Sequence, residues 1–182
     1  MDVTGAPPDA EVVARVLGGD PEAFGVVIRR YEAGLVRFAT RMLGSRDAAA
    51  DAVAESFVRA YRHLASCRDP SRLRMWLYRI LANRCKSHLS RRPFADVALD
   101  DAPAVADPAD NEVALERAEQ LALLERALGQ LSSEKREAFV LKHVEGLSYE
   151  EMAAVTGERI PTLKMRVHRA REALLKALED YA

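Results

Sequence analysis

Over the first ninety residues apolar side chains recur every three or four positions and never alternate, a pattern that a helix can bury on one face and a strand cannot. Asp20-Pro21 pairs an N-cap with proline at the first helical position, after which Phe24, Val27, Ile28, Tyr31, Leu35, Phe38 and Met42 keep helical step until Gly44. Ser45 can cap the next helix, whose stripe is Val53, Phe57, Ala60, Tyr61 and Leu64. The segment Ala65–Pro70 breaks the pattern, because residues before proline are pushed out of helical geometry. Ser71 then opens a long helix through Arg92, with Leu73, Trp76, Leu77, Ile80 and Leu81 facing inward. A short helix from about Asp9 to Leu17 precedes these.

The pattern stops at Arg92-Pro93. Residues 94–110 hold Pro103, Pro108, several Asp and many Ala without periodicity, the composition of a flexible acidic linker. Asn111 restarts helix, with Leu115, Ala118, Leu121 and Leu128 in step as far as Gly129. Ser132 or Ser133 opens another, carrying Phe139, Val140 and Val144 to Gly146. The expected fold is all-α: two small helical domains, residues 1–93 and 111–182, joined by the linker 94–110.

Net charge over the 182 residues is only −1, but the charges are segregated. Residues 59–92 hold ten Arg/Lys and one acid, Asp69. Residues 93–120 hold eight acids and one base, Arg117; residues 159–176 hold six Arg/Lys and one acid, Glu172. Two polyanion-binding surfaces separated by an acidic connector explain this better than solvation, which mixes signs. No apolar run approaches the ~18 residues of a membrane span, and the acidic N-terminus lacks a signal-peptide pattern, so no membrane insertion and a cytoplasmic location are expected. There is no Gly-rich phosphate loop, Ser/His/Asp order or paired-carboxylate pattern, so neither enzyme activity, a cofactor nor a small-molecule substrate is expected. His63 and Cys67, with Cys85 and His88, make two helically spaced pairs that could form a Cys2His2 zinc site or a redox pair; cysteines as small core hydrophobes are the competing reading.

Ser148-Tyr-Glu-Glu151 matches a capping box. A short helix, a turn at Gly157 and a basic helix from about Ile160 to Glu179 follow, the signature of a helix-turn-helix. At 100° per residue Leu163, Val167, Ala170, Leu174 and Leu178 form the core face. Pro161, Thr162, Met165, His168 and Arg169 lie opposite, where base edges would be met, and Lys164, Arg166 and Arg171 flank them near phosphates.

Residues 131–153, then Gly157 and Pro161–Arg171, resemble the −35-reading domain of bacterial sigma factors. Asp20–Phe24, Asp51–Phe57 and Trp76–Asn83 resemble their core-binding and −10-reading domain. Two such halves in order, with no domain between, resemble the extracytoplasmic-function (ECF) class of the sigma-70 family. The resemblance implies a transcription initiation factor that binds core RNA polymerase, through the clamp helices of its largest subunit and its flap region, together with promoter DNA and an anti-sigma partner. It places polymerase docking on Asp51, Glu55 and Arg59, with Ala54 where the family usually has glutamine. It places capture of an extruded −10 base on the loop Leu64–Arg74, through Arg68, Asp69, Ser71 and Arg72. Arg74, Tyr78, Arg79, Asn83 and Lys86, projecting away from the apolar stripe, and Arg91 and Arg92 would continue the single-strand path. Ser87 stands where the family commonly has an acid, and Met165 where it often has a small polar residue, which points to a distinctive −35 preference. The acidic linker would thread towards the RNA exit path. A helix-turn-helix regulator acting without polymerase is the competing function.

Overall fold

Helices in this chain start and stop where short polar side chains and glycines put them. The computed structural model describes residues 7–91 and 122–179, in which every regular element is helical. The expected linker 94–110, Arg92 and the restart at Asn111 lie outside the described residues. Helix α1, Asp9–Leu17, is tied to the next helix because the Asp9 carboxylate accepts from the Arg30 guanidinium and the Tyr31 hydroxyl. Asp20 accepts from the Ala23 amide at 3.3 Å, and a turn at Pro21–Ala23 leads into α2, Phe24–Leu43. Gly44 stops α2 with φ 72°, its N–H closing on the Thr40 carbonyl at 2.7 Å, a conformation that favours glycine. The Ser45 hydroxyl oxygen accepts from the Ala48 amide at 3.3 Å and opens α3, Arg46–Arg62.

At the fourth helix, α4, Leu73–Arg91, the expected serine cap is replaced. Asp69 Oδ1 accepts from the Ser71 amide at 3.1 Å and from the Ser71 hydroxyl at 2.5 Å. A carboxylate is the stronger acceptor, so Ser71 serves as donor within the turn Pro70–Arg72.

The second half contains α5 (122–130), α6 (Ser133–Phe139), α7 (Tyr149–Thr156) and α8 (Ile160–Glu179). Past Phe139 the chain widens into one π turn, Val140–Val144, in which the Glu145 amide reaches the Val140 carbonyl at 3.0 Å. Gly146 at φ 67° and a Leu147 amide to Leu141 carbonyl bond of 3.0 Å then end the segment. The sequence pattern predicts an ordinary helix here, because one extra residue in a single turn has no periodic signature.

The two halves share a core. Leu35, Phe38, Met42, Val53, Leu73, Leu77 and Leu81 are buried together with Val140, Leu141, Leu147, Met152 and Val155. A smaller cluster of Leu128, Leu131, Ala170 and Leu174 packs α5 on the end of α8. Helix α4 is therefore covered on two sides, by α2 and α3 and by α7. This corrects its expected stripe. Trp76 and Ile80 are only half-buried, while Met75, Tyr78, Ala82 and Cys85 are buried instead. Tyr78, expected to face outward, is 2% exposed and lies edge-on to Phe38 with ring centroids 5.6 Å apart. Tyr61, expected in the α3 stripe, touches Phe24 at 5.3 Å between centroids yet stays 43% exposed at the rim.

Arg136 joins the halves from inside. Its guanidinium donates to the Met42 carbonyl at 2.5 Å and to those of Gly129 and Leu131 at 2.8 and 3.2 Å. It thus sits at the negative end of α2, a favourable place for a cation. Desolvation pulls its pKa down to about 10, which leaves it charged at neutral pH.

Phe38 supports both layers around α4. Phe38→Ala should lower the unfolding free energy by about 3–5 kcal/mol, read from urea unfolding followed by circular dichroism; a loss under ~1 kcal/mol would contradict the shared core.

Candidate nucleic-acid interface

The C-terminal site is built by one capped helix positioning another. Ser148 accepts from the Glu151 amide at 3.1 Å while Glu151 accepts from the Ser148 amide at 2.8 Å, so the capping box forms. Gly157 takes φ 77° and turns the chain. The Thr156 hydroxyl donates to the Met152 carbonyl at 2.8 Å and accepts from the Glu158 amide at 3.1 Å, which stiffens the turn. Helix α8 buries Leu163, Val167, Ala170 and Leu174. Its outward face holds Pro161, Lys164, Met165, His168, Arg169 and Arg171, all exposed, with Thr162 half-buried at its edge. Arg166, expected on the flank, also donates to Glu158 at 2.9 Å and so braces α8 against the turn. His168 stands 3.4 Å from Glu172. Lys142 and Lys164 lie over the Tyr149 ring, 4.8 and 5.6 Å from its centroid, and add positive charge beside the helix. Neither lysine–tyrosine contact was legible in the sequence, because the partners come from different elements.

In the N-terminal half, Asp51, Glu55 and Arg59 form one exposed row on α3, with Val58 50% exposed among them. Behind that row a groove of about 950 Å³ runs between α3 and α4, lined by Arg59, Arg62, Trp76, Arg79, Asn83 and Arg84 among others. Glu55 forms an ion pair with Arg84 across it. The groove is thus strongly basic and carries one half-buried indole. Arg62 and Arg84 were missed as site residues, although both belong to the basic run; only the packing of α3 on α4 brings them to one place.

The expected single-strand residues divide into two faces. Arg68, Asp69, Ser71 and Arg72 are exposed on the loop, where the Ser71 hydroxyl holds the Asp69 carboxyl below the usual carboxylate range. Arg79 and Asn83 line the groove, and Arg91 is exposed at the end of α4. Arg74, Tyr78 and Lys86 turn the other way, towards the C-terminal half. Arg74 donates to the Glu145 carbonyl at 3.1 Å, and the Tyr78 hydroxyl donates to the Glu145 carboxylate. Lys86 meets Glu137 at 2.9 Å. Burial is the main cause that pushes the Glu137 carboxyl above its ordinary pKa, against the pull of Lys86.

The possible metal or redox set is not assembled. Cys67 and Cys85 are both buried, and burial raises the Cys85 thiol to about 12, so it is protonated at neutral pH. Among the described residues no group of three or more His, Cys, Asp or Glu side chains could hold a metal ion.

Two basic, outward-facing helical surfaces thus occur in order along one chain. Comparison with known proteins places in a family the two halves that carry them. The family description Sigma-70 region 2 matches residues 27–93, and Sigma-70, region 4 matches residues 121–174. The RNA polymerase sigma-H factor of Pseudomonas aeruginosa is 36% identical, covering 94% of this chain and 94% of that protein. The ECF RNA polymerase sigma-E factor of Salmonella typhimurium is 35% identical, covering 91% and 92%. The chain is a sigma-70 family sigma factor of the ECF class. It is therefore a bacterial transcription initiation factor that works with core RNA polymerase on promoter DNA, and the stand-alone regulator is not favoured. Among solved structures, CnrH in complex with the cytosolic domain of CnrY matches at a TM-score of 0.72 and 27% identity, covering 96% of this sigma factor and 99% of that chain. The sigma factor RpoE with the anti-sigma factor NepR, from Bartonella quintana, matches at 0.67 and 29%, covering 86% and 96%. Among the described residues no helix is long and apolar enough to cross a membrane.

Glu137 gives the sigma factor a pH signature. A carboxyl whose folded pKa is raised contributes stability that is full below its unfolded value of ~4.3 and is lost as pH rises through the folded value. The lowered carboxyls of Asp20, Asp69, Glu134 and Glu150 act in the opposite sense, their contribution being lost as pH falls. As pH rises above the unfolded value of ~4.3, Glu137→Gln should therefore flatten a decline in urea midpoint that the unaltered protein shows; identical slopes would contradict the burial of this charge.

Proposed function

We propose that residues 1–93 of this sigma factor dock on polymerase and capture the −10 strand, that 94–110 is a tether, and that 111–182 reads the −35 duplex. The observation that carries this reading is the outward face of α8. It places Met165 and Arg169 at the centre of an exposed surface, with Pro161, Thr162 and His168 around them and Lys164 and Arg171 at its sides. In a helix-turn-helix those central side chains meet base edges in the major groove, while flanking cations meet phosphates. Arg166 contributes by bracing α8 and adds charge at the phosphate side. The exposed Met165 supports a −35 preference decided partly by apolar contact.

The exposed row Asp51, Glu55 and Arg59, with Val58 beside it, suits an ion-pairing, partly apolar docking on the clamp helices of the largest subunit, with the C-terminal half at the flap region. The basic groove with Arg79 and Asn83, and the loop with Arg68, Asp69, Ser71 and Arg72, suit a single strand whose backbone is anionic and whose bases stack or flip. Arg74, Tyr78, Lys86, Arg91 and Arg92 complete that path. CnrH and RpoE are each held by another protein, CnrY and the anti-sigma factor NepR, which supports an anti-sigma partner for this chain. The chain acts without catalysis of its own, in the cytoplasm.

Purified core polymerase with this sigma factor should initiate from the promoters whose transcripts rise on its overexpression; no initiation from any of them would overturn the reading. Arg169→Ala should weaken −35 duplex binding by about 1–3 kcal/mol, on the order of ten- to a hundredfold, and relax specificity at one position. Arg171→Ala should weaken all sequences alike and reduce the log–log salt slope by about 1. Unchanged affinity in Arg169→Ala would move the recognition face elsewhere.

A further inference from the structure

The sulfur atoms of this chain are unequally protected. Met42 and Met152 are 0% exposed and Met75 is 8% exposed, whereas Met165 is 44% exposed at the centre of the outward face of α8. The thiols offer little competition. Cys67 and Cys85 are both buried, and burial raises both of their pKa values, so neither presents the thiolate that reacts with oxidants. Among the described residues, attack of a small oxidant on sulfur is therefore directed to one thioether, which lies on the surface proposed to meet base edges. We propose that Met165 is a reversible oxidation site: peroxide converts its thioether to the sulfoxide, and the sigma factor then loses part of its hold on its own −35 duplex while keeping its general grip on DNA. This rests on the reading of α8 as the −35 recognition helix.

The step balances with hydrogen peroxide as co-reactant. A sulfur lone pair forms an S–O bond to one peroxide oxygen as the O–O bond breaks. The departing hydroxide takes the proton left on the transferred oxygen and leaves as water. Sulfur is oxidised and the peroxide is reduced. Negative charge develops on the departing oxygen, and the exposed cations Lys164 and Arg169 share that stretch of surface.

The product changes what the helix offers to a base pair. A thioether makes apolar contact of the kind that suits a thymine methyl group. A sulfoxide carries a polar, accepting oxygen, and enclosing it against a methyl group leaves it without a donor. The donor within reach belongs to the protein. Arg169 stands four positions on, on the same helical face, where Cβ atoms lie about 5–6 Å apart. A guanidinium drawn to the sulfoxide oxygen is drawn off the base edge. Lys164 and Arg171, at the sides, still meet phosphates, which carry no sequence information. Because Leu163 and Val167 carry the packing of this part of α8, the change leaves the fold in place.

The test treats the full chain with hydrogen peroxide. Mass spectrometry reads the oxygen added to each methionine-containing peptide, and binding is measured to a duplex carrying the −35 region of a promoter from which it initiates and to a scrambled duplex of the same composition. Oxygen should appear first on the peptide holding Met165. Affinity for the −35 duplex should fall on the order of tenfold, with the scrambled duplex unchanged. A mixture of the two methionine sulfoxide reductases with a dithiol should restore it, one enzyme acting on each sulfoxide epimer. Met165→Leu, whatever its starting affinity, should lose none of it on treatment, and Met165→Gln should bind weakly and without response. Oxidation of Met42 or Met152 ahead of Met165, or an equal loss in Met165→Leu, would overturn the proposal. So would full oxidation of Met165 with affinity unchanged while Arg169→Ala still weakens binding. If Met165→Gln and Arg169→Ala both leave −35 affinity unaltered, the recognition-face assignment itself fails and the oxidation site falls with it.

Discussion

A guanidinium enclosed by protein sets the relation between the two halves of this chain. Arg136 reaches from α6 to the last turn of α2 and to the end of α5, and satisfies carbonyls that helix ends leave open. Removing such a group from water is costly unless its donors are engaged, and here three carbonyls engage them. Because Met42 and Arg136 are 94 residues apart in sequence, the contact also fixes which surface of the second half faces the first. The shared apolar core, Phe38 and Leu77 on one side and Leu141 and Met152 on the other, then follows that orientation.

The arrangement gives α4 two duties. Its inner faces are packed on both sides, against α2 and α3 and against α7. Its remaining face borders the basic groove with Arg79 and Asn83. A helix of this kind cannot present all of its cations at once. Those near the groove stay accessible, while Arg74 donates to a backbone carbonyl and Lys86 pairs with a carboxylate of the second half.

Much of this was legible beforehand, for local reasons. Asp20, Ser45, Ser148, Gly44 and Gly157 mark helix ends through hydrogen bonds and backbone conformations that depend only on near neighbours. The outward face of α8 was legible because a single rotation rule separates Leu163 and Val167 from Met165 and Arg169. Three features were not. The cap at Ser71 passed to Asp69, since two adjacent acceptors compete and the carboxylate prevails. The π turn Val140–Val144, just past Phe139, leaves no periodic trace. Tyr78 turned inward because a second packing layer arrives from 67 residues downstream, as its contact with Glu145 records.

Spacing and local hydrogen bonding were enough to establish an all-α chain, most of its helix boundaries and the segregation of positive charge along the chain, beside the resemblance of its motifs to the sigma class. These are set by residues a few positions apart, whose periodicity and hydrogen-bonding capacity are the same in any environment. Packing between distant segments settled the rest: that the halves share one core, that Arg62 and Arg84 join the groove, and that Lys86 and Tyr78 face Glu137 and Glu145. Those outcomes depend on which helix faces which, a question that periodicity leaves open and that burial of apolar area and satisfaction of enclosed charge resolve together.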